Sequence, residues 1–219
     1  MKHKLIYSCL ILLVIAALAS CHNSIQSNLS ISDQYFPNKV GDSWTYAVTD
    51  TAYSQRRNTL TTGTLKVSII DSTKLPDGTI ASVWRTVWPP EVSPARPPWN
   101  VDTTYVAVSG DSVLISDGLV YSSVCKCKKP QVVSVYILPF YSVNEWHLGP
   151  DSSRVISEDT LSVSAGTFDK VYHISTHGIS FNYYLTQDDW FKPGVGLVQK
   201  MVSSNGLYYT WKLIDYHVK

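Results

Sequence analysis

Few residues in this chain combine a reactive type with a spacing that could do chemistry. Cys125 and Cys127 stand two apart in Cys125-Lys126-Cys127-Lys128-Lys129-Pro130. On an extended strand, positions i and i+2 face the same way with Cα atoms roughly 6.6–6.8 Å apart, at the edge of disulfide reach, and a turn would bring them within it. An oxidising compartment favours that bond. Adjacent lysines would lower the pKa of free thiols and raise their reactivity. A metal would need about two more ligands, and no CxxC or His-rich partner occurs. A small-loop disulfide between Cys125 and Cys127 is the leading expectation, ahead of free thiols and then of metal or redox function.

The other candidates are weaker. His147, His173, His177 and His217 are scattered. His173 and His177 are four apart, which is one face of a helix, but they fall on a strand and its turn, so a zinc-helix reading fails. Glu158-Asp159 and Asp188-Asp189 are adjacent pairs. On a strand such neighbours point to opposite faces and cannot cooperate as acid and base; they read as solvated turns. No GxSxG, P-loop or GxGxxG is present, so no catalytic residue, cofactor or metal is assigned. A hydrolase whose site is drawn from separate loops is the alternative from the enzyme class.

The elements that must position any site are strands. From Val163 to Gln199 the chain reads as a meander, with turns at Ala165-Gly166, His177-Gly178 and Lys192-Pro193-Gly194 between runs of β-branched and aromatic residues. Upstream, Trp44, Tyr46 and Val48 alternate with Thr45, Ala47 and Thr49, and Leu65, Val67 and Ile69 repeat the pattern before a Leu75-Pro76-Asp77-Gly78 turn. Ser82, Trp84, Thr86 and Trp88 share a face, Asp117-Gly118 reads as a hairpin turn, and Leu207, Tyr209, Trp211 and Leu213 close the sheet. Five prolines between Pro89 and Trp99 exclude a regular strand there. They make either a stiff loop or, as a sharper reading, a lid or docking segment. A single helical turn near Ser32 to Phe36 is the only helix expected outside the amino-terminal segment. The fold class is all-β: an antiparallel meander forming one strongly curved sheet or open half-barrel, with a two-sheet sandwich as the alternative. Trp44, Tyr46, Trp84, Tyr183 and Trp190 are the aromatics expected to line its concave face as a ligand pocket.

The amino terminus sets the compartment. Lys2, His3 and Lys4 precede an apolar run from Leu5 to Leu18, about 14 residues and short of the roughly 20 that span a bilayer. Leu18-Ala19-Ser20-Cys21 resembles the lipobox of bacterial lipoprotein signal peptidase. Residues 1–20 are therefore expected to be a cleaved signal and Cys21 the site of acylation, attaching the protein permanently to a membrane. Residues 21–34 read as a polar tether of roughly 20 Å r.m.s. reach, and residues 35–219 as one all-β domain. Losing Lys2 and Lys4 leaves 16 basic residues against 17 acidic ones over 199 residues, a net charge of −1. Neutrality without a basic patch excludes nucleic acid as a partner.

AGTFDKVYHI with WFKPGVGLVQK, and YFPNKVGDSWTY from Tyr35 to Tyr46, resemble a recurring pattern in uncharacterised bacterial lipoproteins, over about a third of the chain. The resemblance to half-barrel carriers that move lipoproteins or lipids across the periplasm is looser. No catalytic residues come with either. Five triads, at Asp50-Thr51, Asp71-Ser72, Asp102-Thr103, Asp111-Ser112 and Asp159-Thr160, are similar to an O-glycosylation motif used on exported proteins of one Gram-negative phylum. The same pairs are also ordinary turn formers. Taken together, the expectation is a lipid-anchored protein of the bacterial envelope, at the outer membrane and facing the periplasm. Its concave sheet would hold a lipid or other apolar ligand, or an envelope partner; a scaffold or assembly protein is a further alternative.

Overall fold

The computed structural model describes residues 34–53, 58–90, 101–122, 127–180, 183–204 and 207–219. Twelve antiparallel strands form one sheet: β1 (Ser43–Tyr53), β2 (Asn58–Lys74), β3 (Ile80–Val87), β4 (Val101–Ser109), β5 (Ser112–Ser122), β6 (Cys127–Ile137), β7 (Glu145–Leu148), β8 (Asp151–Val163), β9 (Gly166–Ser180), β10 (Tyr183–Lys192), β11 (Gly196–Ser204) and β12 (Leu207–His217). Among the described residues only Gln34 and Tyr35 are helical.

The strand order is β6-β5-β4-β3-β2-β1-β12-β11-β10-β9-β8-β7. Each half of the chain is an up-and-down meander, and the first and last strands join the halves, with Tyr46 opposite Leu213 and Val48 opposite Trp211. The sheet curls into a nearly closed barrel. Its two edges, β6 and β7, are not laddered together, but Trp146 Nε1 donates to Val135 O at 2.7 Å across the gap. Phe140, fully buried in the β6–β7 loop, packs on Tyr172 and Phe191.

Period-two alternation explains the wall. Trp44, Tyr46 and Val48 on β1 pair with Val67, Leu65 and Gly63 on β2, and the apolar members are buried. Most of the buried residues form two aromatic-rich clusters with Trp84 packed against both, and Leu75, Ala81 and Ala107 form a small third. Two turns fall elsewhere than expected. Asp117-Gly118 does not reverse the chain: β5 runs through it, with a register shift between Ser116 and Leu119. Gly is as suited to a bulge as to a turn. His177-Gly178 likewise lies inside β9, and the reversal comes after Ser180. Gly178 is small there because the Asp151 carboxylate packs where a Cβ would stand.

One end of the barrel is closed by the segment before β1. Gly194 N donates to Tyr35 O at 3.3 Å, and Phe36 stacks on Phe191 at 5.2 Å between ring centroids. Asn38 accepts from Trp84 Nε1 at 3.0 Å. Asp42, fully buried, ties the segment before β1 to the residues after β12: Oδ2 accepts from Lys39 N at 2.9 Å and Oδ1 from Lys219 N at 3.0 Å. The antiparallel order puts the turns at 75–79, 110–111, 164–165 and 193–195 at this same end.

A chamber inside the barrel and its polar mouth

Above the Phe36-Pro37 floor lies a cavity of about 230 Å³, walled chiefly by Trp44, Tyr46, Val67, Trp84, Val106, Ile115, Tyr136, Phe191, Leu197 and Trp211. A more polar compartment of about 620 Å³ adjoins it and shares Thr86, Thr104, Lys200 and Trp211. Trp88, Val101, Asp102, Thr103, Asp117, Val133 and Tyr209 complete this second space. It lies toward the end where β3 finishes and β4 begins, opposite the floor. The first space is a chamber and the second its mouth.

The ring donors on the chamber wall are occupied by the protein itself. Trp44 Nε1 donates to Val195 O at 2.6 Å, and Tyr46 OH to Leu197 O at 3.0 Å. Trp84 Nε1 is held by Asn38 as above, and Tyr136 OH donates to Asp189 Oδ2 at 2.9 Å. These side chains therefore turn their apolar surfaces toward the space. The chamber offers hydrocarbon contact with few directed polar groups.

The exception is at the junction with the mouth. Asp189 of β10 is fully buried. Its Oδ2 accepts from Tyr136 OH and, at 2.7 Å, from Gln187 Nε2. Its Oδ1 accepts no hydrogen bond and faces Lys200 Nζ at 3.4 Å. That ammonium stands 5.4 Å from the centroid of the Trp211 ring, whose buried Nε1 has no acceptor among the described residues. A buried polar atom left without a hydrogen bond costs about 1–3 kcal/mol; at this junction Trp211 Nε1 is such an atom, and Asp189 Oδ1 is offset by its ion pair with Lys200. Burial raises the phenol pKa of Tyr46 and of Tyr136, and the Asp189 carboxylate raises both further.

Several expected residues fall here and others do not. Trp44, Tyr46 and Trp84 line the chamber. Trp190 does not: it neighbours the inward Asp189 on β10, so it points to the opposite face and stacks on His173 at 4.4 Å. Tyr183 opens β10, but its side chain lies outside the described part of the structure, as does that of Cys127 at the start of β6. Cys21 and Cys125 lie outside the described residues. Of the glycosylation triads, Ser72, Thr103 and Thr160 are exposed on β2, β4 and β8, while Thr51 on β1 and Ser112 at the start of β5 are half-buried.

The adjacent carboxylates are not solvated turns. Asp188 and Asp189 do face opposite ways, but on a strand: Asp188 Oδ1 meets His173 Nε2 at 2.9 Å while Asp189 lies inside. Glu158 and Asp159 are within β8. Sequence reasoning missed Lys200 and Asp189. For Lys200 the signal was an alternation, Val198-Lys200-Val202, in which a charge takes a place between two buried apolar residues; Asp189, next to Gln187, had none. Ser175 Oγ lies 3.4 Å from His177 Nε2, and no described histidine is hydrogen-bonded to both a carboxylate and a serine. Among the described residues no group of three or more His, Cys, Asp or Glu is placed to hold a metal.

No protein-family model and no curated protein matches the chain. Among solved structures, a protein from Bacteroides fragilis NCTC 9343 described as exported and with a YmcC-like fold is similar, at 14% identity and a TM-score of 0.49, over 84% of this chain and 99% of that one. A protein described as a lipoprotein from Parabacteroides distasonis ATCC 8503 is similar at 16% identity and a TM-score of 0.43, over the same shares of the two chains, 84% and 99%. The fold assignment rests on the strand order above.

Proposed function

We propose that this protein is a lipid-anchored component of the bacterial cell envelope, held at the outer membrane on its periplasmic side, and that it binds an apolar ligand inside its barrel rather than acting as a catalyst. The observation that carries the binding reading is the chamber wall. Trp44, Tyr46, Trp84 and Tyr136 all direct their polar atoms into the protein. The surface left over suits a molecule that asks for contact and few hydrogen bonds. The envelope reading rests on the basic start, the short apolar run and Cys21 after Ala19-Ser20. In that compartment the exposed Ser72, Thr103 and Thr160 are the triads best presented for glycosylation, and an oxidising milieu would join Cys125 to Cys127.

Native mass spectrometry of detergent-free protein tests the binding reading, together with intrinsic fluorescence, since Trp44, Trp84 and Trp211 line the chamber. The expected result is a co-purified apolar species, or saturable quenching by a fatty acid or lipid. Uniformly empty protein with no fluorescence response to either would overturn it.

A further inference from the structure

The underside of the floor exposes apolar side chains that the barrel itself does not use. The pairing of Gly41 N with Ile69 O at 2.8 Å, and of Ile69 N with Asp42 O at 2.9 Å, brings the backbone at Val40 alongside that at Ile70. A register shift between Ile69 and Asp71 leaves Ile70 without a partner on β3. Ile69 is buried, whereas Val40 and Ile70 are 47% and 49% exposed. At the same end, Tyr141 of the β6–β7 loop is 66% exposed, its ring centroid 6.3 Å from that of Tyr35. Two ammonium groups adjoin Val40: Lys219 Nζ donates to Val40 O at 3.2 Å, and Lys39 Nζ to Lys219 O at 3.4 Å. Exposed Val101 and Val133 at the other end line the mouth, but Val40, Ile70 and Tyr141 border neither mouth nor chamber. Apolar side chains beside tyrosine and lysine suit the boundary of a bilayer. There a phenol or an ammonium stays among headgroups while its carbon body touches acyl chains.

The place where the chain leaves this face selects what covers it. Gln34 lies against the 193–195 turn, its carbonyl oxygen 3.7 Å from where a Cβ on Gly194 would stand. Only residues 22–33 separate it from Cys21. If Cys21 carries the acyl anchor, a tether this short holds the floor near the bilayer at an effective concentration on the order of millimolar. A contact too weak to retain a free protein is then enough to keep this one docked. We infer that the floor docks on the bilayer that anchors Cys21, with Val40, Ile70 and Tyr141 entering the headgroup boundary. This inference rests on the lipid-anchor reading and is independent of what fills the chamber. The turns at this end carry Asp71, Asp77 and Asp111 as well as Lys39, Lys74 and Lys219. With both signs present, apolar contact is the attraction, not the pull of anionic lipid on a basic cluster.

Nuclear magnetic resonance on phosphatidylcholine nanodiscs tests the docking with the chain mounted in two ways. One mounting uses its own acylated Cys21; the other uses Cys21→Ser behind a polyhistidine tag held by a nickel-chelating lipid. A gadolinium-chelating lipid in the same bilayer broadens the resonances of residues held at the headgroups. Signals of Val40, Ile70 and Tyr141 are expected to be lost in both mountings, while Leu60 and Tyr184, exposed at the mouth end, keep theirs. Combining Val40→Ser, Ile70→Ser and Tyr141→Ser should spare the neighbouring Gly41 and Ser142 amides, with an unchanged melting transition showing that the fold is intact. Broadening that persists in this variant, that spreads evenly over the surface, or that is strongest at Leu60 and Tyr184 overturns the docking. Adding phosphatidylglycerol should change little; broadening seen only with that lipid would mean attraction between lysine and phosphate and overturn the apolar contact. If the native chain acquires no acyl group while the tagged form still loses its floor signals, the anchor reading falls and the membrane contact stands.

Discussion

Asp189, Tyr136 and Tyr46 together make the interior sensitive to alkali. Both phenols have pKa values raised above the ordinary 10.0, first by burial and then by the Asp189 charge. A raised pKa means that the folded state prefers the proton. The stabilisation is complete below the unfolded value of about 10 and is lost as pH rises through the folded value. Spectrophotometric titration should therefore show part of the tyrosinate signal appearing only together with loss of the near-ultraviolet circular dichroism, above about pH 10. Tyr136→Phe should reduce that cooperative fraction and cost about 1–3 kcal/mol, because Asp189 Oδ2 keeps only Gln187. If every tyrosine titrates smoothly while the fold persists, the buried cluster is wrongly placed. At this scale the sequence was only partly legible. Adjacency put Asp188 and Asp189 on opposite faces correctly, but nothing local says which face is the inside. That is decided by the β1–β12 seam and the curl it allows, which are properties of pairings far apart in the chain.

Strands were more legible than the links between them. The alternations through Trp44, Leu65 and Trp84 are visible in the sequence because each wall strand has one face packed inward. Asp117-Gly118 and His177-Gly178 read as turns because glycine marks reversals, bulges and close approaches alike. Only the partner strand distinguishes these uses. Gly196 is the clearest case of need. Its φ is +100°, and an added Cβ would stand 3.3 Å from Trp44 Nε1. Gly196→Ala should cost about 1–3 kcal/mol and loosen the Trp44–Val195 hydrogen bond, read as a lower denaturation midpoint with a shifted tryptophan emission. At the open seam, Trp146→Phe removes the single indole bond from β7 to Val135. The expected loss is about 0.5–1.5 kcal/mol, with faster amide exchange confined to β6 and β7. Uniform acceleration over the whole sheet would instead mean that the gap is not a separable weak point.

For the molecule as a whole, the all-β class and the curved, open-barrel shape were within reach of pattern reading. The floor was not: Tyr35 and Phe36 were expected only as part of a helical turn and of a lipoprotein-like opening pattern, and their role appears only when β10 and the 193–195 turn close around them. Phe36→Ala should cost about 3–5 kcal/mol and deepen the chamber, so that binding optima shift toward longer acyl chains; an unchanged optimum would mean that the ligand does not reach the floor. Cys21→Ser should leave the fold intact and abolish acylation, since a hydroxyl is far less nucleophilic than a thiolate. Labelled palmitate entering both forms equally, or a mature chain beginning elsewhere than Cys21, would end the lipoprotein reading. If that reading holds, the floor has a further consequence. The tether expected from residues 21–34 would leave beside the floor, at Gln34, and its expected reach of roughly 20 Å would be shorter than β1, whose 11 residues extend roughly 36 Å at 3.3 Å each. A cup hung from its base holds its rim toward the far side of the gap. The bilayer that tethers this protein is then not the one best placed to fill it, and cargo would arrive by a shuttle or from an opposing surface rather than by lateral entry from below.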